Sequence, residues 1–201
     1  GFCLVGSEMC IRDSPKTYLI KINEINKQNF FEYPFVLKPR SEGSSVGVGI
    51  IRSKSEKENY IQENMFRKEV LIQQFIKGPE INVAIFGNNK TGSLEIDPKN
   101  EFYDYESKYF DKGQTKHIIP PRLNDDQIKE VEKLALKAHH LIGCKGISRI
   151  EFILDSSSKQ FYILELNTQP GMTPTSLVPE IAKYHGVNFD DLIKWMIEDA
   201  K

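Results

Sequence analysis

Ser148-Arg149-Ile150-Glu151-Phe152-Ile153-Leu154, followed after a short loop by Phe161-Tyr162-Ile163-Leu164-Glu165-Leu166-Asn167, is the stretch that decides the fold. Both segments alternate as strands do. Arg149 therefore shares a face with Glu151, and Glu165 shares one with Asn167. Pairing Asp155 with Phe161 across the loop sets Glu151 opposite Glu165 and Arg149 opposite Asn167. The other face, Ile150, Phe152 and Leu154 with Tyr162, Leu164 and Leu166, is apolar, and a slip of one residue would drive every polar group into that core. Two carboxylates and an amide oxygen on neighbouring pleats form a hard oxygen site suited to Mg²⁺. The competing reading is a solvated hairpin face with no chemistry. The sequel, Thr168-Gln169-Pro170-Gly171-Met172-Thr173-Pro174, favours the first, because a Gly/Pro turn exposes backbone N–H groups beside the carboxylates.

Upstream, residues 34–38 read as a short strand that enters a loop, Ser41-Glu42-Gly43-Ser44-Ser45-Val46-Gly47, and leaves along residues 48–51. Its glycines allow close backbone approach to a ligand, and successive N–H groups can cradle phosphate oxygens, with Lys38 just before them as a cation. A flexible turn is the plainer alternative. No Walker or Rossmann spacing is present. Ser55 with Glu58 has the spacing of a capping box and predicts a helix running to about Arg67. Residues 70–76 read as a strand, and residues 80–86 and 91–96 as a hairpin around Gly87-Asn88-Asn89. Residues 97–120 carry no period but hold Phe102, Tyr103, Tyr105, Tyr109 and Phe110. Such a segment is either a lid that excludes water from a reactive intermediate or a surface loop pinned by its aromatics. Asn124 then caps a long helix that Gly143 stops, and further helices follow at residues 177–185 and 189–200. The architecture expected is α+β with mostly antiparallel strands.

The totals exclude several classes. A net charge of −1 over 201 residues draws the chain neither to nucleic acid nor to an anionic membrane. No apolar run reaches the ~18–20 residues of a membrane helix. Three cysteines, Cys3, Cys10 and Cys144, lack ligand spacing and point to a reducing compartment, hence a cytoplasmic protein. The four histidines have no Cys/His/Asp companions at zinc spacing. Residues 1–14 read as foreign to the domain, because Ser7-Glu8-Met9-Cys10-Ile11-Arg12-Asp13-Ser14 is similar to translated sequencing-adapter DNA; a native β-strand and loop is the competing reading.

Four segments in order, Lys38-Pro39-Arg40-Ser41-Glu42-Gly43-Ser44-Ser45-Val46-Gly47, Gly78-Pro79-Glu80, Phe102-Tyr103-Asp104-Tyr105-Glu106-Ser107-Lys108-Tyr109 and Glu165-Leu166-Asn167-Thr168-Gln169-Pro170-Gly171-Met172-Thr173, together with Cys144-Lys145-Gly146, resemble the D-alanine–D-alanine ligases. The resemblance runs from about Pro15 to the C-terminus. It implies the ATP-grasp fold, in which two α+β domains with mostly antiparallel sheets clamp ATP. Residues 15–73 would form the central subdomain and residues 74–201 the C-terminal catalytic one.

The resemblance also implies roles. Lys38 and Lys108 would contact ATP phosphates, with Ser44 and Ser45 in the loop folding over them. Gln73, Gln74, Phe75 and Ile76 would line the adenine site, and Glu80 would hold the ribose hydroxyls. Glu151, Glu165 and Asn167 would bind two Mg²⁺ ions, for which Mn²⁺ can stand in. Arg149 and the Gly171 N–H would stabilise an oxyanion, Ser44 and Tyr109 would position the first D-alanine, and Ser176 and Leu177 would hold the carboxylate of the second. The implied setting is bacterial peptidoglycan synthesis by a homodimeric parent enzyme. Two positions depart from the family pattern: Glu151 stands where Asp is common, and Gln73 where Glu is. No counterpart of the family's N-terminal domain precedes Pro15, so the expectation is a chain of weak or no activity by itself. A ligase with another acceptor (D-lactate) and a non-catalytic nucleotide-binding fragment are the rival readings.

Overall fold

The computed structural model describes residues 14–27, 29–42, 46–87, 89–97 and 115–200. The chain divides after Ile76 into two compact units, the second resuming at Thr115. Both are built from antiparallel strands with helices against them. No helix among the described residues is long and apolar enough to cross a membrane.

The first unit holds a four-stranded sheet in the order β1-β4-β2-β3, from β1 (Thr17–Lys21), β2 (Phe35–Pro39), β3 (Gly49–Ile51) and β4 (Glu69–Gln74). One face buries Ile20, Phe35, Leu37, Ile51, Val70 and Ile72. Strand β1 and the 3-10 turn Ile22–Lys27 that follows it had no strong signature, because Tyr18 and Leu19 are exposed at a sheet edge and period-2 burial is lost. Helix α1 (Lys54–Glu63) is shorter than the sequence suggests and is capped two residues earlier. The Oγ of Ser53 accepts from Glu56 N–H at 3.2 Å. The spacing S-x-x-E occurs twice here, and Ser53/Glu56 rather than Ser55/Glu58 forms the cap. The helix is polar almost throughout and docks through Tyr60, whose ring meets Gly49 and whose hydroxyl donates to the Gly47 carbonyl at 2.7 Å. Burial pushes that hydroxyl's pKa up to about 12.

The second unit is a five-stranded sheet in the order β7-β6-β5-β8-β9: β5 (Glu80–Phe86), β6 (Lys90–Asp97), β7 (Lys116–Ile118), β8 (Ser148–Leu154) and β9 (Phe161–Asn167). Helix α2 (Asp125–Leu141) covers one face, and its Val131, Ala135 and Ala138 pack on Ile81, Val83, Ile85, Ile150, Phe152 and Leu166. A full capping box starts it, with Asn124 Oδ1 accepting from Gln127 N–H at 2.9 Å and Gln127 Oε1 from Asn124 N–H at 3.1 Å. Helix α3 (Leu177–Tyr184) lies on the opposite face across β5 and β6, and α4 (Phe189–Asp199) packs against α3. The chain enters this sheet at Gly78, where a Cβ would stand 1.8 Å from the Leu154 carbonyl oxygen. Only glycine permits that approach, which brings Pro79 O to Leu154 N and Lys77 O to Ser156 N.

The β8–β9 hairpin corrects the sequence reading in an instructive way. Leu154, not Asp155, pairs with Phe161. Asp155 turns the chain instead: its carboxylate accepts from Ser157 N–H at 2.9 Å and from the hydroxyls of Ser157 and Ser158. Continued unbroken, that register would set Glu151 against Leu164. A β-bulge beside Phe152, which pairs with Ile163, absorbs the extra residue Leu164 and restores Glu151 opposite Glu165 and Arg149 opposite Asn167. The core side of β9 is therefore Phe161, Ile163 and Leu166, whereas Tyr162 and Leu164, expected inside, lie outside the buried core.

Candidate functional site

In the first unit, Lys38 on β2 and Gln73 on β4 share the sheet face opposite the core. Lys38 Nζ donates to Gln73 Oε1 at 3.1 Å, Gln73 Nε2 donates to Thr17 Oγ1 at 2.8 Å, and Thr17 Oγ1 donates to the Pro15 carbonyl at 2.8 Å. This relay crosses three strands and explains the amide at position 73. A carboxylate could accept from Lys38 but could not donate to a threonine oxygen whose own proton is committed. Gln74 lies half-buried at the end of β4, turned to the other face by alternation, with its backbone N–H on the Lys16 carbonyl at 2.8 Å. Phe75 is half-buried and Ile76 buried in the irregular stretch that follows.

The Gly/Ser loop is held at both stems. Arg67 forks onto both carboxylate oxygens of Glu42 at 2.6 and 2.8 Å, and Tyr60 holds Gly47. Ser44 and Ser45 themselves lie outside the described residues, as do Tyr105, Lys108 and Tyr109.

In the second unit, one sheet face gathers Glu80 and Asn82 from β5, Arg149 and Glu151 from β8, and Glu165 and Asn167 from β9. Strand register alone brings them together: Asn82 opposes Glu151 on one side, and Glu165 opposes it on the other. Glu151 is buried and accepts a close charge-assisted hydrogen bond from Arg149 Nη2. Glu165 is exposed. Asn167 Oδ1 accepts from Gln169 N–H at 2.9 Å, which starts the turn beyond the strand. Two buried polar atoms of this face, Asn82 Oδ1 and Arg149 Nε, find no partner among the described residues.

An acceptor and a donor left unsatisfied in one patch call for a ligand with both characters. No three His, Cys, Asp or Glu side chains cluster for a metal among the described residues. The donor set here is two carboxylates and amide oxygens. That all-oxygen chemistry suits Mg²⁺ or Mn²⁺ with water completing the shell, and not zinc. Asn82 escaped the sequence reading. The signal was a single amide in the otherwise apolar run Ile81-Asn82-Val83-Ala84-Ile85, two residues from Glu80 and therefore on its face.

Beyond β9, Gly171 lies exposed in the turn that leads to α3. Ser176 is the N-cap of that helix, yet its side chain does not cap it. Its Oγ turns back to accept from Thr173 N–H at 3.0 Å and meets Thr173 Oγ1 at 2.8 Å. The N–H groups of Leu177 and Val178 thus keep the positive end of the helix without a side-chain cap, an arrangement suited to a carboxylate.

Two of the histidines tie elements together. Buried His139 meets Ser148 Oγ at 2.7 Å, and His117 meets Glu180 at 2.6 Å, tying β7 to α3.

Residues 12–198 match the family described as D-ala D-ala ligase C-terminus. The D-alanine–D-alanine ligase of Pelagibacter ubique (strain HTCC1062) is 44% identical over 188 residues, covering 92% of this chain and 59% of that protein. The crystal structure of the D-alanine–D-alanine ligase from Bacillus anthracis complexed with ATP superposes with a TM-score of 0.72 at 26% identity, covering 93% of this chain and 60% of that one. The VanG D-Ala:D-Ser ligase from Enterococcus faecalis gives a TM-score of 0.76 at 27% identity over 92% of this chain and 56% of that one. The chain spans about 60% of the length of the curated relatives it matches.

Proposed function

From the membership of this chain in the D-ala D-ala ligase C-terminus family, with the ATP-grasp fold of its solved relatives, we propose that it is the nucleotide-binding and catalytic part of an ATP-dependent D-alanine–D-alanine ligase of the bacterial cytoplasm. The observation that carries this reading is the polar face of the second sheet, where Glu151 and Glu165 stand opposite each other with Arg149 and Asn167 as the next pair.

The reaction has two steps. A carboxylate oxygen of one D-alanine attacks the γ-phosphorus of ATP, giving an acyl phosphate and ADP. The free amine of a second D-alanine then attacks the acyl carbon, the C–O bond to phosphate breaks, and an amine proton passes to solvent, leaving D-alanyl-D-alanine and inorganic phosphate. Glu151, Glu165 and Asn167 would hold Mg²⁺. Bound there, the ion neutralises phosphate charge.

Arg149 is anchored by Glu151 and keeps Nε for an anion, which suits it to the charge on the transferred phosphoryl group in the first step and to the oxyanion that builds on the acyl oxygen in the second, with the Gly171 N–H beside it in this reading. Lys38, and Lys108 and Ser45 by resemblance, would contact the phosphates. Gln73, Gln74, Phe75 and Ile76 would line the adenine, and Glu80 would take the ribose hydroxyls. Ser44 and Tyr109 would position the first D-alanine. Ser176 and Leu177, at the helix end without a side-chain cap, would take the carboxylate of the second.

The test is D-alanine-dependent phosphate release with ATP and Mg²⁺, beside Glu165→Ala. Release that disappears in the variant supports the reading, and release that persists sinks the site. Because the VanG relative is described as a D-Ala:D-Ser ligase, D-serine and D-lactate belong in the assay as acceptors. A rate with either above that with D-alanine would make this a ligase of the second kind.

A further inference from the structure

Asn82 is unused by the reading above, and its burial is complete. Its Nδ2 donates to Glu80 Oε1 at 3.1 Å, whereas its Oδ1 accepts nothing among the described residues. Valine would fill such a strand position without that penalty. Its register sets it directly across from Glu151, on the face that also carries Glu165.

We propose, on the footing of the ligase reading, that Asn82 is a positioning residue of the divalent-cation site, its Oδ1 accepting a hydrogen bond from a cation-bound water while its Nδ2 fixes Glu80. Three features lead there. Asparagine is one methylene shorter than glutamate, so from a neighbouring pleat its amide oxygen stops short of the carboxylates' reach. A cation held at the glutamate tips leaves a gap of the kind a water fills, and Mg²⁺ keeps several of its waters. A cation-bound water also presents only hydrogens to the protein, which matches a lone acceptor. The second orphan, Arg149 Nε, is a donor and falls to an anion instead. An aspartate in this place would add a third carboxylate beside Glu80 and Glu151 and would lose the donor that orients Glu80.

The experiment is Mn²⁺ titration of the full chain followed by electron paramagnetic resonance at saturating ADP, for the parent sequence, Asn82→Leu, Asn82→Asp and Glu165→Ala, with urea transitions as the check on folding. Asn82→Leu should weaken Mn²⁺ by about tenfold, as loss of an outer-shell partner does. Asn82→Asp, which keeps the acceptor, should restore affinity to within about twofold of the parent. If Asn82→Leu shows no cooperative transition, Asn82→Val makes the same comparison. Apolar variants that bind like the parent overturn the proposal, and so does an Asn82→Asp as weak as they are. A parent chain that binds no Mn²⁺ with ADP, or a Glu165→Ala that binds normally, overturns the ligase reading and this inference with it.

Discussion

Helix α3 seats its Ile181 and His185 side chains against Gly92 on β6, and Gly92→Ala tests whether that seat is real. A Cβ added there would lie 2.5 Å from Ile181 Cγ2 and 2.6 Å from His185 Cδ2 and Nε2. Carbon atoms in contact rest at about 3.5–4.0 Å, so roughly 1 Å must be found. His185 is exposed at the end of the helix and can swing away. Ile181 is fully buried and, being β-branched in a helix, has essentially one side-chain rotamer. The helix itself must therefore lift, at a cost of about 1–3 kcal/mol.

Ile181→Ala alone should cost about 2–5 kcal/mol. It also removes the methyl that clashes, so the double variant should fall short of the sum by about 1–2 kcal/mol. Urea unfolding of the four proteins, followed by fluorescence of Trp195 in α4, closes the cycle, since α4 packs on α3. Additivity within about 0.5 kcal/mol would refute the claim that α3 rests on Gly92 through Ile181. Under the ligase reading the same lift moves Ser176 and Leu177, so Gly92→Ala should raise the KM for the acceptor amino acid more than it lowers kcat.

Three further outcomes are expected. Asn124→Ala removes the N-cap of α2 and should cost about 1 kcal/mol by the same urea assay; a loss under about 0.3 kcal/mol would show the capping box to be ornamental. Burial, with His140 adding to it, holds the His139 imidazole below its usual pKa. The folded chain therefore takes up this proton less readily than the unfolded chain. The stability it contributes is complete above the unfolded histidine range near ~6.5 and is lost as pH falls below it. His139→Gln should flatten the decline in unfolding free energy between about pH 7 and 5.5, and a slope equal to that of the parent would remove His139 as its source. Deleting Leu164 removes the bulge yet leaves Glu151 opposite Glu165, because residues 161–163 keep their partners. The deletion should cost about 1–2 kcal/mol for one half-buried leucine and should spare Mn²⁺ affinity. A folded deletion variant that loses the cation would show that the bulge shapes the site as well as the register.

That hairpin also shows what a sequence can and cannot disclose. Alternation alone put Arg149 with Glu151, and Glu165 with Asn167, on the polar side of their strands, and burial of the intervening apolar residues enforces that division whatever the loop does. The pairing across the strands came out as expected at the site for a reason the pattern does not contain. The turn begins one residue earlier because the Asp155 carboxylate finds three local donors, and Leu164 bulges out to make up the difference. Local hydrogen bonding of a short polar side chain and the placing of a bulge depend on three-dimensional closure, and period-2 counting is blind to both. The same blindness hid β1, whose exposed Tyr18 and Leu19 break the period, and shifted the α1 cap between two equally spaced serines. Asn82 was hidden differently. Its strand reads correctly as buried, and the amide looks like noise until the register sets it beside Glu151 with an acceptor unfilled. A polar residue inside an apolar strand, on the face already carrying a carboxylate two residues away, is thus a signal that could have been weighed from the sequence, since burying an amide without a purpose is a cost that a single substitution removes.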